Sequence, residues 1–132
     1  MKALDICLFV AVSLLSGCGF AHDEQLTGPY RLIAVDTLDQ MSVSYGLPDG
    51  DAVGRISETV FSVGWNDRYI VAKQHPNNDR TITHFYYLDI SRDSIYADPI
   101  ASVTGPLTES EFLGKRRDLA LPDFTRNIKS LQ

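Results

Sequence analysis

The sequence predicts an α+β fold, mostly an antiparallel β-meander of about five to seven strands with one C-terminal helix packed on it. Three observations carry this. Apolar and polar residues alternate with period two through most of the stretch from Tyr30 to Tyr96. Turn chemistry interrupts that alternation at short intervals, as in Pro48-Asp49-Gly50-Asp51 and Asn66-Asp67. The clearest helix signal, Thr108 three residues before Glu111, comes only after the strands. The 132 residues fit one domain, and 44% hydrophobic against 22% charged residues is a globular balance that argues against disorder. A net charge of −5 argues against general nucleic-acid binding, since polyanions need basic surfaces. With Cys7 and Cys18 as the 2 cysteines, a disulfide framework and a four-cysteine zinc site are excluded.

In chain order, Met1 to Cys18 reads as an address. Lys2 gives a positive start, partly offset by Asp5, and Ile6 to Leu15 is apolar except for Ser13. Such a run is about half of the roughly twenty residues that a membrane-spanning helix needs. It ends in Leu15-Ser16-Gly17-Cys18, which resembles the lipobox of bacterial lipoproteins. The resemblance implies that residues 1–17 are a signal peptide cut just before Cys18. It further implies that the Cys18 sulfur carries a diacylglyceryl group and that the new amino terminus is acylated, with palmitate as the typical chain. Gly19 stands where aspartate would resemble an inner-membrane retention signal. The implied place is therefore outside the cytosol on the cell envelope, at the outer membrane facing the periplasm if the host is Gram-negative. Cys7 would leave with the signal and Cys18 would become a thioether, so the mature chain would hold no free thiol.

Residues 18–28 read as the lipidated cysteine and a polar stem, with His22 solvated beside Asp23 and Glu24. From Gly19 to Gly28 such a stem would reach at most roughly 35 Å. A single domain is expected over 29–121. Tyr30 to Leu38 is rich in β-branched and apolar residues on both faces, as a covered strand would be, and Asp39-Gln40 turns the chain. Met41, Val43 and Tyr45 alternate with serines, and Val53 to Ile56 reads as a short strand. Thr59, Phe61, Val63 and Trp65 share one parity and lead through Asn66-Asp67 into Arg68–His75, a hairpin. Thr81 to Ile90 is a strand whose apolar parity is Ile82, His84, Tyr86, Leu88 and Ile90. Ile95 and Tyr96 suggest a last short strand. The helix then follows Gly105-Pro106-Leu107, with Phe112, Leu113, Leu119 and Ala120 as its apolar stripe and Lys115, Arg116 and Arg117 complementing its C-terminal dipole. Residues 122–132 read as a tail or short helix.

Catalytic motifs are missing: the sequence holds no nucleophile elbow, phosphate loop, paired-histidine zinc helix or calcium loop. His84 falls on the apolar parity and reads as a core histidine, while His75, at a strand end beside Pro76, reads as exposed. Either makes an acid/base couple only with Asp79 or Asp89, and neither has a nucleophile nearby. No cofactor and no metal is expected. Asp49-Gly50-Asp51 supplies too few oxygens for calcium and reads as a turn. The hairpin Gly64-Trp65-Asn66-Asp67-Arg68-Tyr69 has two readings: an aromatic pair packed beside a turn, or a recognition tip rich in Trp, Tyr and Arg. On the second reading, Trp65, Asp67, Arg68, Tyr69, His75 and Tyr87 are the candidate binding surface. Five basic residues (Lys115, Arg116, Arg117, Arg126, Lys129) crowd the last twenty positions, as a solvated helix face or a contact to anionic headgroups.

The stretch from Gly54-Arg55-Ile56-Ser57 through Gly64-Trp65-Asn66-Asp67-Arg68-Tyr69-Ile70-Val71-Ala72-Lys73-Gln74-His75-Pro76 resembles an uncharacterised family of small bacterial proteins. Tyr86-Tyr87-Leu88-Asp89 and Gly105-Pro106-Leu107-Thr108 extend the match. The resemblance implies a single exported domain and no activity, substrate or catalytic residue. Together these features lead to an envelope lipoprotein, not an enzyme, whose domain binds a macromolecule near the membrane: an envelope protein, a toxin or a lytic enzyme. The partners expected are the membrane, through the lipid, and an unidentified protein, with no nucleic acid. A small hydrolase using His75 with an acid, and a purely structural envelope component, are the alternatives.

Overall fold

A computed structural model describes residues 19–132. The signal peptide expected at 1–17 and the lipidation expected at Cys18 fall outside the described residues. Among the described residues, nine strands form two antiparallel sheets. The first is a four-stranded meander in chain order: β1 (His22–Thr27), β2 (Tyr30–Ala34), β3 (Ser42–Gly46) and β4 (Ala52–Ile56). The second contains β5 (Val60–Trp65), β6 (Tyr69–Gln74), β7 (His84–Asp89), β8 (Val103–Leu107) and β9 (Arg126–Asn127), in the order β8-β7-β6-β5-β9. A one-turn helix α1 (Pro99–Ser102) precedes β8, and the main helix α2 (Glu109–Leu119) follows it. The class is α+β with a C-terminal helix, as the alternation and the late capping box predict.

The second sheet is the middle layer. One of its faces meets the first sheet through Val60, Phe61, Val63, Ile70, Ala72 and Leu88, set against Tyr30, Leu32, Met41, Val43 and Ile56. Its other face meets α2 through Tyr69, Val71, Phe85 and Tyr87, set against Phe112 and Leu121. Strands covered on both faces lose the alternation that marks a half-exposed strand. That is why β7 departs from its expected parity. Phe85 and Tyr87 are buried against α2, Ile82 is 43% exposed, and His84 is half-buried at the strand start, not in the core. On α2, Phe112 alone is buried, and Leu113 of the expected stripe is 48% exposed. The Thr108–Glu111 capping box is present, with Thr108 Oγ1 accepting from the Glu111 amide at 3.2 Å and Glu111 Oε1 from the Thr108 amide at 3.0 Å.

Three strands stand where none was expected, and the expected strand at Ile95–Tyr96 is absent, Tyr96 being 93% exposed. The stem over 18–28 is corrected: His22–Thr27 form β1, paired with β2 from His22↔Ala34 to Thr27↔Tyr30. His22 is not freely solvated, since its Nε2 lies 3.0 Å from Glu24 Oε1. Of the tail or short helix expected over 122–132, Lys129–Leu131 form a short 3-10 helix, but the segment is built into the fold. It contributes β9 against β5, and Leu131 is 3% exposed in the inter-sheet core. Glu24 on β1 accepts hydrogen bonds from Arg126 Nε at 3.0 Å and Nη2 at 3.0 Å, which ties the first described strand to the last.

That pair makes a pH prediction. The hydrogen bonds from Arg126 hold the Glu24 carboxyl below its ordinary range, against the opposing effect of burial and with help from His22. A depressed folded pKa contributes stability that is present above the unfolded value of about 4.3 and is lost as pH falls through the folded value. Glu24→Gln is expected to cost about 1 kcal/mol near neutral pH, the scale of a partly exposed pair. The gap from wild type should narrow as pH falls below the unfolded value and close once the folded carboxyl is protonated. Urea unfolding across this range checks it; a gap that stays constant with pH overturns it.

Candidate functional site

The β5–β6 hairpin positions the candidate residues. Asn66 Oδ1 accepts from the backbone amides of Arg68 at 2.9 Å and Tyr69 at 2.7 Å, and the Asn66 amide donates to Tyr69 O at 3.0 Å. The asparagine side chain thus closes the turn that the sequence marks. The tip Asn66–Arg68 is exposed, while Trp65 is half-buried against the inter-sheet core. Tyr69 and Tyr87 are buried edge to face, with ring centroids 6.1 Å apart at 83°. The aromatic pair packed beside the turn is therefore Tyr69 with Tyr87.

The six candidate residues do not form one surface. His75 sits at the far end of β6, 4% exposed, with its ring stacked on Phe61 at 4.1 Å and 13°. Its Nδ1 lies 2.8 Å from Ile82 O, an acceptor, so Nδ1 carries the proton and donates; Nε2 is buried without a partner. The expected exposure of His75 is thus corrected, because Phe61 and the 76–82 loop enclose the ring. Trp65 turns inward. Arg68, Tyr69 and Tyr87 do come together, and Asp67 lines an adjoining hollow with Asp118.

The cleft that gathers Arg68, Tyr69 and Tyr87 measures ≈ 170 Å³ and also takes in Asp89, Arg92, Ser102, Thr104 and Leu119. Strand register builds it. Tyr69 pairs with Asp89 across β6–β7, and Tyr87 pairs with Thr104 across β7–β8. Asp89 is fixed first by its own turn, where Oδ1 accepts from the Ser91 amide at 3.0 Å and from Ser91 Oγ at 2.6 Å. Its Oδ2 faces Arg68 Nη2 at 3.4 Å and Arg92 Nε at 3.7 Å. Burial pushes the Asp89 carboxyl up, but the Ser91 hydroxyl, Arg68 and the Ser91 amide outweigh it and hold the carboxyl below its ordinary value. Both guanidinium groups are mostly exposed, and each keeps unused donors. Ser102 is 3% exposed, and its Oγ has no hydrogen-bond partner. A wider hollow of ≈ 950 Å³ runs along the outer side of α2 beside Leu113 and Arg117, and it holds no buried polar side chain.

Behind this cleft lies a group that no local sequence pattern marks. Arg55 Nε donates to Asp93 Oδ2 at 2.8 Å, and both side chains are fully buried. Tyr30 Oη donates to the same oxygen at 2.8 Å, and Arg55 Nη2 donates to Ser94 O at 2.9 Å. The Arg55 guanidinium also lies 5.2 Å from the Tyr45 ring centroid. Burial, then the Asp93 carboxylate, pushes the Tyr30 phenol well above its ordinary pKa. These contacts tie Asp93 and Ser94, on the far side of Arg92, to the first sheet. The expected use of the basic C-terminal residues is partly internal too, since Arg116 pairs with Asp123 and Arg126 with Glu24.

Among the described residues, no three His, Cys, Asp or Glu side chains stand together as metal ligands, and no helix is long and apolar enough to cross a membrane. No curated protein and no solved structure matches the chain. A family model described as "Protein of unknown function (DUF3997)" does match, over residues 27–128. That span runs from the end of β1 to the residue after β9 and includes the hairpin, the cleft and the buried ion pair, so the chain belongs to this family.

Proposed function

We propose that the protein is an exported lipoprotein, held to the cell envelope through Cys18, whose domain is a non-enzymatic binding module for a macromolecule near that membrane. The observation that carries this is the Leu15-Ser16-Gly17-Cys18 sequence standing directly before the fold. Only Gly19 and Phe20 separate Cys18 from Ala21, whose amide donates to Val35 O at 3.0 Å. Three peptide units reach about 11 Å, so a lipid at Cys18 would hold the domain against the bilayer without the longer stem. Each buried methylene of such a lipid contributes about 0.8 kcal/mol, and two or three chains together hold for long times.

A short tether also sets orientation. The end of the fold beside His22 carries Val35 and Leu38, 53% and 43% exposed, and the Thr59–His75 strand ends. The Arg68–Asp89 cleft lies at the opposite strand ends, where it would face away from the lipid. The size of the cleft supports binding over turnover, because ≈ 170 Å³ is below the roughly 300–1,000 Å³ typical of small-molecule sites. It suits one side chain of a larger partner.

Intact mass and detergent-phase partitioning test the anchor. The native protein is expected to lack residues 1–17, to carry added acyl mass, and to enter the detergent phase. Cys18→Ser is expected to keep the full sequence and stay in the aqueous phase. A native chain that retains its first seventeen residues, or that is wholly aqueous, overturns the proposal.

A further inference from the structure

We infer that the cleft between Arg68 and Arg92 is a carboxylate site, which takes one aspartate or glutamate side chain from an acidic segment of a protein partner. This rests on the binding-module reading and gives it a ligand chemistry. Four observations support it. Two guanidinium groups share one oxygen of one carboxylate, at 3.4 and 3.7 Å, which leaves a net positive charge in the cleft. Neither contact is at the 2.7–2.9 Å typical of a charge-assisted hydrogen bond, so both cations can turn to a better-placed acceptor. Asp89 does not need them to stay satisfied, because Ser91 donates to it twice. Finally, Ser102 is 3% exposed and lines the same cleft, and its hydroxyl has no partner; a buried hydroxyl of this kind is costly unless something pairs with it.

Shape and neighbours narrow the ligand further. The cleft has aromatic walls in Tyr69 and Tyr87, which accept the methylenes of an acidic side chain. The other acids near the hairpin, Asp67 and Asp118, line the adjoining hollow and not the cleft. An incoming carboxylate would therefore meet Arg68, Arg92 and Ser102, with Asp89 as the acid in the cleft lining. A cationic side chain would have to displace two arginines from Asp89 and would enter against their positive charge.

The test is a titration of the mature full-length chain in neutral detergent micelles, followed by backbone-amide and guanidinium nuclear magnetic resonance. The probes are N-acetyl-glutamate amide, its neutral counterpart N-acetyl-glutamine amide, and inorganic phosphate. The glutamate probe is expected to shift the Arg68, Arg92, Ser102 and Thr104 signals with a dissociation constant on the order of 1 mM, the strength of a single side-chain contact. The glutamine probe should leave them in place. Arg68→Gln combined with Arg92→Gln should abolish the shifts; both side chains are mostly exposed, so the fold should be kept. Ser102→Ala should weaken binding about five-fold without lowering stability, because its hydroxyl makes no hydrogen bond in the free protein. Equal shifts from both amides, shifts that survive the double arginine change, or phosphate binding as tightly as glutamate would each overturn the assignment. None of these outcomes bears on the anchor, which detergent partitioning measures separately.

Discussion

Arg55→Met is expected to destabilise the domain by about 3–5 kcal/mol, the cost of breaking a buried ion pair from one side. The size follows from what stays behind. Asp93 Oδ1 has no hydrogen-bond partner, and Oδ2 is held by Arg55 and Tyr30 together. Without the guanidinium, a fully buried carboxylate is left with one phenol donor, and Ser94 O loses its partner as well. Removing every polar member at once should cost far less. The triple variant Tyr30→Phe, Arg55→Met, Asp93→Leu leaves no buried charge, and such apolar replacements are often near neutral. Urea unfolding of the single and triple variants checks both statements. A single-variant loss below about 1 kcal/mol would mean that the pair is not buried as described. Hydrogen exchange adds a local readout. Asp93 and Ser94 follow Arg92 directly, so Arg55→Met should expose the amides of residues 90–98 before those of the sheets. The variant should also loosen Arg92 in the cleft, although Arg55 does not line it.

The hairpin, the Pro48–Asp51 turn and the capped helix were legible because each rests on local chemistry: an asparagine closing its own turn, a glycine at φ 91°, a threonine bonding three residues ahead. The missed strands carry little local signal. In β1, His-Asp-Glu-Gln-Leu-Thr, only Leu26 is buried, and the charged residues look like a solvated stem. They are compatible with a strand because β1 is an edge whose charges find Arg31 and Arg126. β8 holds a glycine and a proline, which an edge strand tolerates and a sequence reading takes for a loop. β9 is two residues long. The cleft was half legible. Arg68, Tyr69 and Tyr87 stood out as residue types, whereas Asp89, Arg92 and Ser102 join them only through strand register and the turn after β7. His75 was misplaced because parity says nothing about a loop that folds over a strand end, as residues 76–82 do. Arg55 and Asp93 are 38 positions apart, and nothing around either residue names the other.

Gly64→Ala is the second large effect expected, and it tests whether the last residues belong to the fold. Gly64 lies in β5, and the chain after α2 crosses directly over it. A methyl group there would overlap the Asp123 carbonyl oxygen, 2.8 Å from its carbon and 3.2 Å from Phe124 Cα. These are backbone atoms, so no side-chain rotation relieves the clash. The crossing is pinned on both sides: the Thr125 amide donates to Val63 O at 3.0 Å and the Ile128 amide to Phe61 O at 2.8 Å. Making room means lifting residues 122–128, and with them Phe124, the Arg126–Glu24 pair and the buried Leu131. Losing one buried leucine costs about 1.5–3 kcal/mol, and the freed hydrogen bonds add about 1 kcal/mol each. Alanine otherwise gains roughly 0.5–1 kcal/mol over glycine inside a strand, which is too little to offset this. A net loss of at least about 3 kcal/mol is therefore expected in urea unfolding. Gly114→Ala is the control. That position is in α2 with nothing within 4 Å of the added methyl, so it should stabilise by up to about 1 kcal/mol. Coupling sharpens the test. Leu131→Ala should cost about 2–5 kcal/mol in the wild-type chain but little once Gly64→Ala has lifted the segment. If Gly64→Ala is as stable as wild type, or if the two losses simply add, the C-terminal segment does not lie across β5.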